Sequence, residues 1–173
     1  MDKESSESIF LGLGANLPHP RFGSPQATLQ AALNALKDRG IQPIRLSPWY
    51  QTAPVPPSGQ PWYVNAVADV RSALSADALL AELHAVEEAF GRVRSEPNAA
   101  RLIDLDLLDW RGQVARGGPG KATLPHPRLS GRAFVLRPLA DLAPDWRHPL
   151  TGLSIQDLLE GLPAGQIAER LAF

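Results

Sequence analysis

Two segments with helical spacing, each set between runs that read as strands, constrain this chain more than any other feature. QATLQAALNALKDR at 26–39 places Leu29, Leu33 and Leu36 on one face, with Ser24 as its cap, Pro25 at the first helical position and Gly40 just past the end. SADALLAELHAVEEAF at 75–90 repeats the pattern with Ser75 as its cap. Around them, IFLGLG at 9–14, residues 41–50, YVNAVADV at 63–70 and the run from 101 to about 110 read as strands. TAPVPPSGQP at 52–61 is too rich in proline for a helix or a central strand and is expected to be a stiff loop. The order strand-helix-strand-strand-helix-strand is the split β-α-β signature. It predicts an α+β fold, a ferredoxin-like sandwich with a mainly antiparallel sheet and helices packed on its faces. Further along, 111–121 should form an exposed loop or hairpin, LPHPR at 124–128 an extended segment, and 131–142 and 155–159 short helices, with room for one more strand near the C-terminus. Residues 1–8 read as a disordered polar tail and 9–173 as a single domain.

Composition removes several function classes. At 173 residues and 44% hydrophobic content, the chain can bury one substantial core. A net charge of -1 argues against a general nucleic-acid binder, whose footprint is an overall basic balance. With no cysteine there is no disulfide framework, no thiolate zinc site and no thiol nucleophile. The acidic, polar start does not read as a secretory signal, and no run approaches the roughly 20 apolar residues of a membrane span. The expectation is a cytoplasmic protein acting on small molecules, with neither nucleic acid nor membrane as partner, and working as a monomer.

The segment 101–108 (RLIDLDLL) carries the strongest chemical signal. On a strand, Asp104 and Asp106 point the same way while Ile103, Leu105 and Leu107 point into a core. Two like charges side by side raise at least one pKa and weaken the strand unless a divalent cation or arginines answer them. Arg92, Arg94 and Arg101 lie just upstream, and hard oxygen ligands suit Mg²⁺ carrying a polyphosphate far better than zinc. From the spacing alone, a solvated edge strand fits equally well. Arginines around a short Pro- and Asn-containing segment describe a basic loop able to fork phosphate oxygens, although a charge run that merely solvates a turn has the same composition.

Taken in order, GLGAN, YQTAPV, YVNAV, FGRVR, ARLIDLDLL, LPHPRL and GRAFVLRPLADLAPDWRHP span nearly the whole chain. This series resembles the 6-hydroxymethyl-7,8-dihydropterin pyrophosphokinases of folate biosynthesis. The resemblance implies transfer of a diphosphate from ATP to the hydroxymethyl group of a reduced pterin, with release of AMP. It assigns Asp104 and Asp106 to two Mg²⁺ ions, and Arg92 and Arg94, with those aspartates, to catalysis. Arg92, Arg94, Arg101, His126 and Arg132 match phosphate-contacting positions, and Lys121 and Thr123 are assigned to the nucleotide. Tyr63 and Phe134 match a stacking pair for the pterin ring, Asn65 the amide that reads its edge, and Thr52 and Val55 backbone contacts to it. Taken singly, Phe134 reads as core and His126 as an ordinary loop residue. A buried Asn65 needs partners that a ligand edge would provide. Glu87 and His84, at adjacent turns of one helix, border the nucleotide or simply face solvent.

One departure stands out. Where many members carry Trp-Gly-Pro-Arg before the metal strand, this chain has Asn98-Ala-Ala-Arg101. Phosphate binding by Arg101 is expected to persist while the loop's closing contacts differ, and 94–100 is expected to order around bound nucleotide. Other classes that the residues allow are a ligand-binding regulatory module without chemistry and a different Mg²⁺-dependent phosphotransferase; an RNA-binding sheet would want aromatics on its central strands and a basic face, which this composition does not offer. The absence of G-x-x-x-x-G-K-[ST] excludes an ordinary P-loop kinase.

Overall fold

The computed structural model of the chain describes residues 7–92 and 100–171. Within these, strand β1 (Ile9–Ala15) is the fully buried centre of the sheet, with β4 (Tyr63–Arg71) on one side and β5 (Asp104–Trp110) on the other. Beyond β4, its two ends take different partners. The short strand β2 (Gln42–Leu46) pairs with the C-terminal half, and β3 (Tyr50–Thr52) pairs with the N-terminal half and with β8 (Ala168–Arg170). Every one of these pairings is antiparallel. A separate hairpin of β6 (Ala115–Gly118) and β7 (Lys121–Leu124) follows β5.

The two strongest helical segments form as their spacing predicts. Helix α1 (Pro25–Lys37) is capped by Ser24 Oγ, which accepts from Ala27 N, and it buries Leu29, Leu33 and Leu36. Gly40, at φ +79°, then turns the chain so that Ile41 N reaches back to Leu36 O at 3.1 Å, closing the helix end. Helix α2 (Ala76–Ala89) is capped by Ser75 in the same way. Both helices lie on one face of the sheet, over Ile9, Leu11, Leu13, Leu105 and Leu107. Burying a leucine there contributes about 2 kcal/mol, so the alternate apolar positions of β1 and β5 fix the register of the sheet.

The opposite face is only half covered. Helices α3 (Ala133–Leu142) and α4 (Ile155–Glu160) pack over Phe10, Val67 and Leu108. Trp146 seals this second core, its Nε1 donating to the buried Asp109 Oδ2 at 2.9 Å. The remaining half of the face, at the Asp104 end of β5, is left open. The single strand expected over 41–50 is instead broken into β2 and β3. Ser47 N donates to Val67 O, and Ser47 Oγ accepts from Val67 N, both at 2.9 Å, so a side chain replaces one ladder bond just before Pro48, which has no N–H to offer. Residues 1–6 of the expected tail lie outside the described residues. Ser8, in contrast, is buried, and its carbonyl accepts from Arg111 N.

Candidate functional site

Antiparallel register assembles the open half of the face. Gly14 pairs with Asp104 on one side and Asn65 on the other, and Asn65 pairs in turn with Tyr50. Paired residues share a face, so Asp104 and Asn65 flank a bare glycine on the surface not covered by α3. The glycine is required: a Cβ at Gly14 would lie 2.7 Å from Asn65 Oδ1. Asn65 is buried, and its amide nitrogen donates to the hydroxyl of Thr52, itself 1% exposed.

Two cavities meet here. The larger, about 460 Å³, is walled by Thr52, Val55, Tyr63, Asn65 and Phe134, with Arg132 beside the last. Arg132 is held over the Phe134 ring, 5.2 Å from its centre. Burial pushes the Tyr63 hydroxyl above its ordinary pKa, which keeps it a neutral donor. The smaller cavity, about 330 Å³, is polar. Arg92, Asp106, Lys121, Thr123 and His126 line it, with His84 and Glu87 from α2. Arg101, Asp104, Pro127 and Arg128 belong to both.

Asp104 is the pivot of the charge network. Its Oδ1 accepts from Arg92 and its Oδ2 pairs with Arg101, each at 3.0 Å. Arg92 also bonds Glu87 Oε2, which accepts from Leu105 N at 2.9 Å. Burial pushes the Glu87 carboxyl upward, against the pull of Leu105 N–H and Arg92, and its other oxygen is buried with no hydrogen-bond partner among the described residues. The neighbouring Asp106 is pushed up to about 7, first by burial and then by the charge of Asp104, with Arg132 opposing. Asp104 is thus answered by two arginines, whereas Asp106 is opposed only by the charge of Arg132. Two hard carboxylates on one face fit a Mg²⁺ ion whose other ligands are phosphate and water, the usual way that ion is held. Among the described residues no group of three or more His, Cys, Asp or Glu gathers as a self-sufficient metal site.

His126 is held neutral. Its backbone N–H donates to Leu108 O at 2.9 Å, its ring Nδ1 accepts from Arg128 N at 3.2 Å, and its pKa is lowered to about 4 by burial and by the charges of Arg132 and Arg128. With Nδ1 accepting, the ring proton sits on Nε2, so the side chain offers an uncharged donor to the polar cavity.

Arg92, Asp104, Asp106, Arg101, Lys121, Thr123 and His126 thus come together at the polar cavity. Thr52, Val55, Tyr63, Asn65 and Phe134 come together at the larger one. Arg132, expected among phosphate contacts, lines the larger cavity while feeling the charges of both aspartates. Arg94 lies outside the described residues, as does most of the 94–100 segment. Sequence reasoning gave no role to Arg128, Gln60 or Asn16. Asn16 is buried, and its Nδ2 donates to Gln60 Oε1 at 2.8 Å and Pro61 O at 2.9 Å, while its Oδ1 accepts from Arg101 N at 2.8 Å. That one amide ties the loop walling the larger cavity to the arginine shared by both. The only local signal was an asparagine directly after a buried strand.

Comparison with known proteins bears on the family of the chain. A family model described as 7,8-dihydro-6-hydroxymethylpterin-pyrophosphokinase matches residues 10–144. A 2-amino-4-hydroxy-6-hydroxymethyldihydropteridine pyrophosphokinase of Synechocystis is 38% identical, covering 87% of this chain and 73% of the relative. The Pseudomonas aeruginosa protein of the same name is 37% identical over 91% of the chain and 93% of its own length. A folic acid synthesis protein, fol1, of Pneumocystis carinii is 33% identical across 97% of this chain, which spans only 22% of that longer protein. In fold, a crystal structure of Plasmodium falciparum HPPK-DHPS superposes with a TM-score of 0.64 at 12% identity, over 88% of this chain and 42% of that one. Agreement of the ferredoxin-like α+β fold, the family match and the relatives leads to one conclusion: the chain belongs to the 7,8-dihydro-6-hydroxymethylpterin-pyrophosphokinase family.

Proposed function

We propose that the chain transfers a diphosphate from ATP, with Mg²⁺, to the hydroxymethyl group of 6-hydroxymethyl-7,8-dihydropterin, giving AMP and the pterin diphosphate for folate synthesis. The observation that carries this reading is the pair of adjoining cavities that meet at Asp104, one walled by rings and an amide, the other by cations and carboxylates. A flat heterocycle with a polar edge suits the first, between Tyr63 and Phe134, with Asn65 at its rim. A triphosphate suits the second, where Arg92, Lys121 and neutral His126 supply donors.

In the reaction the pterin hydroxyl oxygen bonds to the β-phosphorus of ATP while the bond from that phosphorus to the α–β bridging oxygen breaks. AMP leaves, and the hydroxyl proton is released to solvent. When bound, two Mg²⁺ ions on Asp104 and Asp106 supply the positive charge that neutralises the phosphates. Arg101 and Arg128, shared between the cavities, stay with the diphosphate as it passes from one substrate to the other. Holding the two substrates over Gly14 replaces a bimolecular encounter by a fixed approach, where most of the acceleration in such transfers arises.

Product analysis after incubation with MgATP and 6-hydroxymethyl-7,8-dihydropterin tests the reading. AMP and the pterin diphosphate, both lost in an Asp104→Ala, Asp106→Ala double variant, are the expected result. ADP in place of AMP would mean single phosphoryl transfer, and no product with intact nucleotide binding would mean a binding module.

A further inference from the structure

Helix α3 begins without a cap of its own. Arg132 precedes it in an extended conformation and its side chain makes no bond to the first turn. The free N–H of Ala133 is taken instead by Gln166 Oε1 at 2.9 Å, from 33 residues downstream, and Gln166 Nε2 donates to Gly131 O at 2.8 Å. One side-chain amide therefore grips both peptide groups flanking Arg132. Arg132 and Phe134 form one wall of the larger cavity.

The residues just after Gln166 hold the opposite wall. Ala53 N donates to Ile167 O at 3.1 Å, and Thr52 pairs with Ala168 between β3 and β8. Thr52 and Ala53 both line the same cavity. Strand β8 is itself pinned to α3, because Asp141 accepts from Arg170 and from the hydroxyl of Tyr50. Three consecutive residues, none of which lines the cavity, thus fix the distance between its two walls.

We propose that Gln166 is a positioning residue for recognition of the planar substrate, setting the separation of the Arg132 and Phe134 wall from the Thr52 and Ala53 wall through its paired bonds to Gly131 and Ala133. This deepens the pterin reading and rests on it. If Gln166 merely capped a helix, its loss would lower overall stability and weaken both substrates alike. If it positions the cavity wall, the loss falls on one substrate.

The test is calorimetric titration of the full chain with 6-hydroxymethylpterin and, separately, with a non-hydrolysable ATP analogue and Mg²⁺, with thermal midpoints measured alongside. Gln166→Ala and Gln166→Met remove both bonds, whereas Gln166→Glu keeps the acceptor for Ala133 N and replaces the donor to Gly131 O by a second carboxylate oxygen. The pterin Kd should rise about tenfold in the first two and about threefold in the third, with the nucleotide Kd changed less than about twofold. Equal pterin affinity in all four proteins would overturn the inference. So would pterin and nucleotide affinity falling together in step with the thermal midpoint. Failure of the unsubstituted chain to bind pterin would overturn the functional reading itself, and this inference with it.

Discussion

Gly14→Ala separates the requirements of the site from those of the fold. The new methyl carbon would stand 2.7 Å from Asn65 Oδ1, roughly 0.6 Å short of an ordinary carbon–oxygen contact of about 3.3 Å. Asn65 can yield only by giving up its bond to the buried Thr52 hydroxyl, or else β1 must shift from β4 along a continuous ladder. Either route costs about 1–3 kcal/mol. For a chain of this length that lowers the thermal midpoint by roughly 2–4 °C per kcal/mol. Displacement of the Asn65 amide should raise the pterin Kd at least about tenfold in a fluorescence titration, because on the proposed reading that amide meets the pterin edge. Gly12, two residues earlier on the same face, provides the contrast. A Cβ there meets Leu108 at 3.4 Å, an ordinary contact, so Gly12→Ala should change stability by less than about 1 kcal/mol and leave pterin binding intact. Normal pterin binding by Gly14→Ala, or equal damage from the two alanines, would refute the reasoning.

Further expectations concern charge. Arg92→Ala leaves Glu87 buried with one backbone partner and should cost about 3 kcal/mol in chemical denaturation as well as turnover; adding Glu87→Gln, which removes the charge and keeps an acceptor for Leu105 N, should recover part of the stability but not the activity. The Asp106 carboxyl, raised from 3.8 to about 7, favours its protonated form in the folded chain, so its contribution is full below pH 4 and is lost as pH rises through 7. Metal-free thermal midpoints should therefore fall between pH 5 and pH 8, and Asp106→Asn should flatten that fall; an unchanged slope would contradict it. His126, lowered to about 4, should show a neutral ring with its proton on Nε2 in nitrogen NMR at pH 6, and an imidazolium there would contradict the assigned burial.

What the sequence disclosed was local. Ser24 and Ser75 cap helices from three residues away, and the alternation of Asp104 and Asp106 with Leu105 and Leu107 is visible in any four-residue window. The break between β2 and β3 was not legible, because Ser47 stands in for a ladder group on Val67, twenty residues on. Nor was the seal of the second core, a bond between Trp146 and Asp109, 37 residues apart, although the helix at Ile155–Glu160 falls where the sequence placed one. The same division runs through the site. Residue types that bind phosphate cluster near Asp104 and announce themselves, whereas Asn16 and Gln166 act through partners 33 to 85 residues away. The position of Arg132 in the larger cavity follows from the start of α3, which the sequence placed within two residues without disclosing the distant Gln166 that holds it.

The register of three strands explains why two substrates would meet where they do. Asp104, Gly14 and Asn65 form one row across β5, β1 and β4. Neighbouring strands lie about 4.8 Å apart, so the carboxylate and the amide stand on backbones roughly 10 Å from each other with nothing but glycine between them. The next row, Asp106, Gly12 and Val67, repeats the gap and then closes under α3. On the proposed reading, any side chain at Gly14 would occupy the space in which the hydroxymethyl group approaches the phosphate. A site that binds each substrate well could still fail if that space were filled. Gly14→Ala should therefore lower kcat even at saturating pterin, while substitutions at Tyr63 or Phe134, which wall the larger cavity, should mainly raise KM for pterin. A Gly14→Ala enzyme whose kcat at saturation equals that of the parent would mean that the row holds the ring and plays no part in the approach.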